Sequence, residues 1–208
     1  MKKHAFTLVE MLAVLAILFV LPALLFPVFG RARENARRTT CASNAKQFAL
    51  ALLQYGQDHD ESLVPIRYDS DGDVEWTSML DPYVKNSQIY LCPSDTQSTQ
   101  ISYGLNQLVF LDLEEDPGAQ PVKLSQFQTP AQTIMLGETG TADDFATIRP
   151  NTSKMLPPSE SLEDPEDARP CARHFNEVTL AFMDGHVKPM RIAEFYTGQT
   201  PPDKWFMP

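Results

Sequence analysis

The chain has 208 residues, 43% of them hydrophobic and 21% charged, and a formal net charge of −10 at pH 7. That length suits one folded domain with an appendage, and an acidic body lacks the basic face that a phosphate backbone requires, which excludes nucleic acid as a partner. Three cysteines, Cys41, Cys92 and Cys171, are too few and too scattered for a zinc site of paired CxxC type. Outside the cytoplasm they would form one disulfide and leave one thiol, and spacing alone leaves the pairing open.

The first element is the apolar run Met11 to Phe29, which carries no charge and is headed by Glu10. As a helix it would rise about 28 Å, close to the ~30 Å hydrocarbon core of a bilayer. A cleaved secretory signal shares the basic start at Lys2 and Lys3, but its apolar core spans only about 7–15 residues and ends at small residues. A plain membrane anchor fits the length. It leaves Glu10 unexplained, and the arginines at 31, 33, 37 and 38 follow the span on the side where the positive-inside tendency does not place them.

The stretch "AFTLVE" before this run resembles the type IV prepilin processing signal. The resemblance implies a leader of residues 1–5, cut by a membrane peptidase between Ala5 and Phe6, with Phe6 then N-methylated. The family usually has Gly where this chain has Ala5. A carboxylate in the apolar zone costs up to about 2.5–3.5 kcal/mol at a helix centre and less at the edge, so it persists where it has a partner. Cleavage would create an α-amine one helical turn from Glu10, and in low dielectric a neighbouring subunit's amine would pair strongly with that carboxylate and set register. Pro22 and Pro27 loosen a helix in a way membrane helices tolerate.

From Arg31 the pattern stays helical and becomes amphipathic. Cys41, Ala45, Phe48, Leu52 and Tyr55 form one stripe of 3.6-residue period, while Asn44, Lys46, Gln47 and Gln54 mostly fall off it. Gly56 reads as the stop. One helix would therefore run from Phe6 to near Tyr55, roughly 75 Å long. "RYDSDGDVEW" is an acidic turn. Its Asp69, Asp71 and Asp73 do not make an EF-hand, because Gly72 stands fourth and not sixth. "WTSMLDPYV" predicts a short helix stopped by Pro82, and "QIYLCPSD" a strand entering a turn at Pro93. "ISYGLNQLVF" and "TIMLGET" predict further strands, the second broken by Gly137. The Pro-, Ser- and acid-rich segment 150–170 predicts an exposed loop.

The C-terminal "RHFNEVTLAFMDGHVKPMRI" alternates Val178, Leu180 and Phe182 with Thr179, Ala181 and Met183, the strand period. Asp184-Gly185 supplies the turn of a two-residue hairpin, and Pro189 requires an edge strand. His174, Asp184 and His186 do not form a metal or catalytic set on this reading, because the strand holds the ends about 17–20 Å apart. His174 is expected to bond a buried carbonyl or carboxylate. A catalytic site among His174, His186, Glu138, Asp143 and Asp144 would need those groups to converge within about 3 Å of a reacting atom.

His174 followed after nine residues by Asp184-Gly185 resembles the H-X9-DG element of a large class of bacterial prepilin-type proteins, and "RARENARRTTCASNAKQFALALLQY", "YLCPSD", "SYGLN" and "PAQTIMLGE" resemble their segments in order. Family members often have a glycine-rich turn after the His, where this chain has Phe175-Asn176-Glu177. The resemblance favours Cys41 with Cys92 as the bonded pair, with His174, Asp184 and Gly185 as structural signature. It implies an α+β pilin-like fold: a leader at 1–5, a transmembrane and filament-core helix at 6–30, its amphipathic continuation at 31–57, and a head at 58–208 on a small antiparallel sheet. It further implies a non-enzymatic pilin or pseudopilin of a type IV pilus or type II secretion-like filament, without cofactor or metal. Its partners would be copies of itself, other pilins, a prepilin peptidase and the inner membrane. The span would be single-pass with the head outside the cytoplasm, in an extracellular or periplasmic filament after assembly. The rival reading is a membrane-anchored binding module that does not polymerise.

Overall fold

The structure, a computed structural model, describes residues 8–68, 74–114, 116, 118–141, 152–159 and 169–207. The chain divides into two compact units, Met1–Ala36 and Arg37–Pro208. Helix α1, Leu8–Asp58, runs through both with Pro22 and Pro27 inside it.

In the first unit most of the described apolar side chains of α1 are exposed. Leu8 is 79% exposed, Phe19 76% and Phe26 74%. The run is long and apolar enough to cross a membrane.

In the second unit the predicted stripe turns inward. Cys41, Ala45, Phe48 and Leu52 are buried, and Tyr55 is half-buried. The Phe48 ring is the hub, with Tyr90, Tyr103 and Trp76 centroids at 5.1, 5.4 and 5.6 Å. Asn44 departs from the expected pattern. It is buried, and its Nδ2 donates to the Leu91 carbonyl at 3.3 Å, so its polar end is satisfied from the head and water is not needed. Gly56 does not end the helix, which continues to Asp58. A Cβ there would stand 2.8 Å from Leu124 Cδ1, so close packing is what calls for glycine. The chain then reverses through Asp60 and Glu61, at φ 52° and 63°.

Helix α2, Trp76–Leu80, buries both its end residues and anchors Trp76 Nε1 on the Ser153 carbonyl at 3.0 Å. The segment expected as a strand at "QIYLCPSD" is instead a 3-10 turn over Ser87–Tyr90, because Asn86 Oδ1 accepts from Gln88 N at 3.0 Å and caps it. Asp69, Asp71 and Asp73 lie outside the described residues.

Six strands form the sheet: β1 Tyr103–Asn106, β2 Ile134–Thr141, β3 Lys154–Met155, β4 Arg169–Pro170, β5 Val178–Phe182 and β6 Val187–Met190. The order is β3-β1-β2-β5-β6, with β4 also on β2. Pairing is antiparallel except between β1 and β3, so the sheet is mixed and not wholly antiparallel. The α+β pilin-like layout, a long N-terminal helix packed on the sheet of the head, otherwise stands. Gly137 does not break β2; it pairs with Gly104 and Leu180. A Cβ on Gly137 would lie 2.5 Å from Leu180 Cδ2, and one on Gly104 2.6 Å from the Lys154 backbone. Both glycines let neighbouring strands approach.

Segment 150–170 also departs from expectation where it is described. Lys154 and Arg169 are buried, Lys154 with its Nζ 3.7 Å from Asp112 Oδ2. Asp112 is itself held by Arg67 at 2.6 Å. An acid–base pair admits Lys154, while Arg169 donates to the Pro157 carbonyl at 2.7 Å and to the Tyr196 hydroxyl. The C-terminal hairpin has its turn at Met183–Gly185, where Gly185 N donates to Phe182 O at 2.7 Å and Phe182 N to His186 O at 3.0 Å. Only Gly185 has a positive φ, 83°. This is a three-residue loop with a left-handed glycine, not the expected two-residue turn. A last helical turn, α3 Ile192–Phe195, closes the second hydrophobic cluster through Phe195 and Tyr196.

Candidate functional site

Two features of the chain carry function: the N-terminal segment, and a buried polar cluster in the head. Glu10 lies in the first turn of α1 and is exposed, where a carboxylate also complements the positive end of the helix dipole. Ala5 and Phe6 lie outside the described residues.

The buried cluster is built from four separate elements. Cys41 comes from α1, Cys92 from the loop after the 3-10 turn, Glu138 from β2, and His174 from the turn before β5. Their exposures are 0%, 1%, 0% and 1%. Cys41 and Cys92 stand at Cα–Cα 5.4 Å with their sulfurs in contact, the spacing of a disulfide. His174 Nε2 lies 3.0 Å from Glu138 Oε1 and 3.3 Å from Cys92 Sγ. Glu138 Oε2 accepts from Thr179 N at 2.7 Å, which orients the carboxylate.

His174 is presented by a tight reversal. Its N–H and C=O exchange hydrogen bonds with Glu177 at 3.3 and 2.9 Å. The central residues, Phe175 and Asn176, take φ 52° and 64°, so this is a turn that glycine or asparagine adopts without strain. Beside it, Arg173 is fastened by Asp95 at 2.7 Å, by the Ser102 carbonyl at 3.0 Å and by the Thr139 carbonyl. Burial raises the Asp95 pKa, but the Arg173 charge and the Ser98 N–H outweigh it and leave the carboxyl below its usual value. The Tyr103 hydroxyl, paired across the strands with Glu138, is pushed up by burial and then by that carboxylate.

The structure brings His174 to Glu138 and the two cysteines, and leaves Asp184 and Gly185 at the far end of β5. Asp184 Oδ1 there accepts from His186 N at 3.0 Å and faces His186 Nδ1 at 2.5 Å. Lys46 of α1 donates to the Gly185 carbonyl at 2.7 Å, tying helix to hairpin. Asp143 and Asp144 lie outside the described residues. Glu138 and His174 do converge, but the pair is sealed, and the principal surface clefts are lined by other residues. Among the described residues such a site holds parts together. Sequence spacing could not assemble these four groups, because pairwise motifs detect ligands only when they share a loop or a helix face.

Comparison with known proteins gives two matches. Residues 1–24 match the prokaryotic N-terminal methylation motif, and residues 30–155 match the family described as Protein of unknown function (DUF1559). No curated protein and no solved structure matches the chain. The family match ends before His174, so the H-X9-DG element stands outside it. Neither match is to an enzyme family. With that motif leading into an apolar helix, the chain belongs to the DUF1559 family and is a type IV pilin-like, peptidase-processed protein.

Proposed function

We propose that the chain is a structural subunit, pilin or pseudopilin, of a type IV pilus or type II secretion-like filament. The observation that carries this reading is the methylation motif leading into an apolar helix whose described side chains are largely exposed. Exposed apolar surface on this scale marks a membrane or protein partner. Before assembly that partner is the inner membrane, with the head outside the cytoplasm. After cleavage between Ala5 and Phe6 it is the same helix in other copies and other pilins. Glu10 then meets the methylated amine of a neighbouring Phe6, a pairing that low dielectric strengthens and that removes the cost of a lone carboxylate.

The test is intact-mass and N-terminal peptide mass spectrometry on protein from its native membranes, beside a Glu10→Ala variant assayed for filaments. A chain starting at N-methylated Phe6, with filaments lost in the variant, supports the reading. A chain starting at Met1, or processed normally with Glu10→Ala still displayed and no filament formed by either protein, replaces it with an anchored module that does not polymerise.

A further inference from the structure

Glu138 is fully buried, and a buried carboxylate needs compensation at each oxygen. Oε2 has it from Thr179 N. Oε1 lies 3.0 Å from His174 Nε2 yet receives no hydrogen bond among the described residues, because the two atoms are close without being aimed at one another. That oxygen therefore has acceptor capacity left inside the cluster. The sulfurs of Cys41 and Cys92 face the same point, and one ligating atom from each of the four residues lies within 4.8 Å of the others. Around a tetrahedral zinc ion, with Zn–S near 2.3 Å and Zn–N or Zn–O near 2.0–2.2 Å, ligand atoms stand about 3.3–3.8 Å apart.

We propose that Cys41, Cys92, Glu138 and His174 form a closed structural zinc site in the dithiol state of the chain, and that the disulfide is its metal-free, oxidised state. The donor set selects the ion: two thiolates, one imidazole and one carboxylate in tetrahedral array suit zinc. Thr179 N supplies the outer hydrogen bond that fixes the carboxylate. Binding converts two thiols to thiolates and releases two protons to solvent, while the imidazole coordinates through its neutral Nε2. Interconversion with the disulfide takes two electrons and two protons from a dithiol reductant, which is itself oxidised to a disulfide; the two sulfurs then part to about 3.8 Å around the ion. The ion joins the 37–58 part of α1 to β2 and the turn before β5, and it does so whether or not the chain assembles into filaments.

The experiment uses the full-length chain in detergent, reduced anaerobically with a phosphine and titrated with Co²⁺ and then Zn²⁺. One equivalent of Co²⁺ should produce tetrahedral d–d bands and thiolate-to-cobalt charge transfer, and one equivalent of Zn²⁺ should abolish both. X-ray absorption of the zinc form should give two sulfurs near ~2.3 Å and two lighter ligands near ~2.0–2.2 Å. Glu138→Gln and His174→Gln should each weaken binding roughly tenfold or more, since loss of outer partners alone costs about that much. A reduced chain that takes up no metal, folded or not, overturns the proposal, because structural zinc sites fold with their ion. So does a zinc shell without sulfur, a result that wild-type protein alone can give.

Discussion

The two halves of α1 share a helix and differ in what surrounds them. Leu12, Leu18 and Phe19 are 63%, 57% and 76% exposed, whereas Phe48 and Leu52 are 0% and 1% exposed. Burying a side chain of this kind is worth about 1.5–3 kcal/mol, so the second half contributes to the stability of the head from within the chain. The first half leaves the same kind of surface exposed over about five turns. One half of the helix is an integral part of the folded head and the other is an exposed apolar segment, with no helix break to separate them.

Substitutions in the two halves should differ sharply in effect. Phe48→Ala should destabilise the head by about 3–5 kcal/mol, read as a lowered denaturant midpoint of the full-length chain in detergent. Leu18→Ala should move the same midpoint by less than about 0.5 kcal/mol; an equal effect of the two would show that the first half also supports the head. Asp95→Asn removes a charged partner of Arg173 and should cost about 1.5–3 kcal/mol at neutral pH. Because the folded-state pKa of Asp95 is lowered, its contribution is complete above the unfolded value near ~3.9 and fades as pH falls through the folded value. The variant's stability should therefore change less than wild type below about pH 4, checked by denaturation across that range. Gly104→Ala, which presses a Cβ against the Lys154 backbone, should cost about 1–3 kcal/mol without altering membrane association. The smallest effect has the opposite sign. Phe175→Gly relieves a left-handed conformation that costs an L-residue about 1–2 kcal/mol, less the added chain entropy of glycine, and should raise stability by about 0.5–1 kcal/mol, measured as a higher midpoint with unchanged slope.

The long helix and its buried stripe were legible because a 3.6-residue period depends only on neighbours in the chain. The β5–β6 hairpin was legible for the same reason, down to the edge placement of Pro189. What sequence could not show were features decided by distant partners. Asn44 is inside because Leu91 O meets it, and Lys154 is inside because Asp112 does. The strand expected at "QIYLCPSD" lost to a local cap from Asn86. His174 and Glu138 were each visible as candidates. Their convergence with two cysteines depends on how β2, α1 and two loops close on one another, and no spacing rule contains that information. The turn after His174 was not legible, since Phe175 is a poor residue for the left-handed conformation it adopts.

The edge strand β6 carries a last consequence. Phe182 N donates to His186 O, so the alternation of an antiparallel ladder makes Leu180–Lys188 a hydrogen-bonded pair and Thr179–Pro189 a non-bonded one. The backbone nitrogen of residue 189 thus points away from the sheet, at the place where an added strand would seek a donor, and proline has none to give. On the opposite side the outermost strand, β3, is only two residues long and buried. Neither edge of the described sheet therefore offers a long open ladder to an added strand. A proline on one edge strand and a two-residue strand on the other thus protect the sheet from adding a foreign strand.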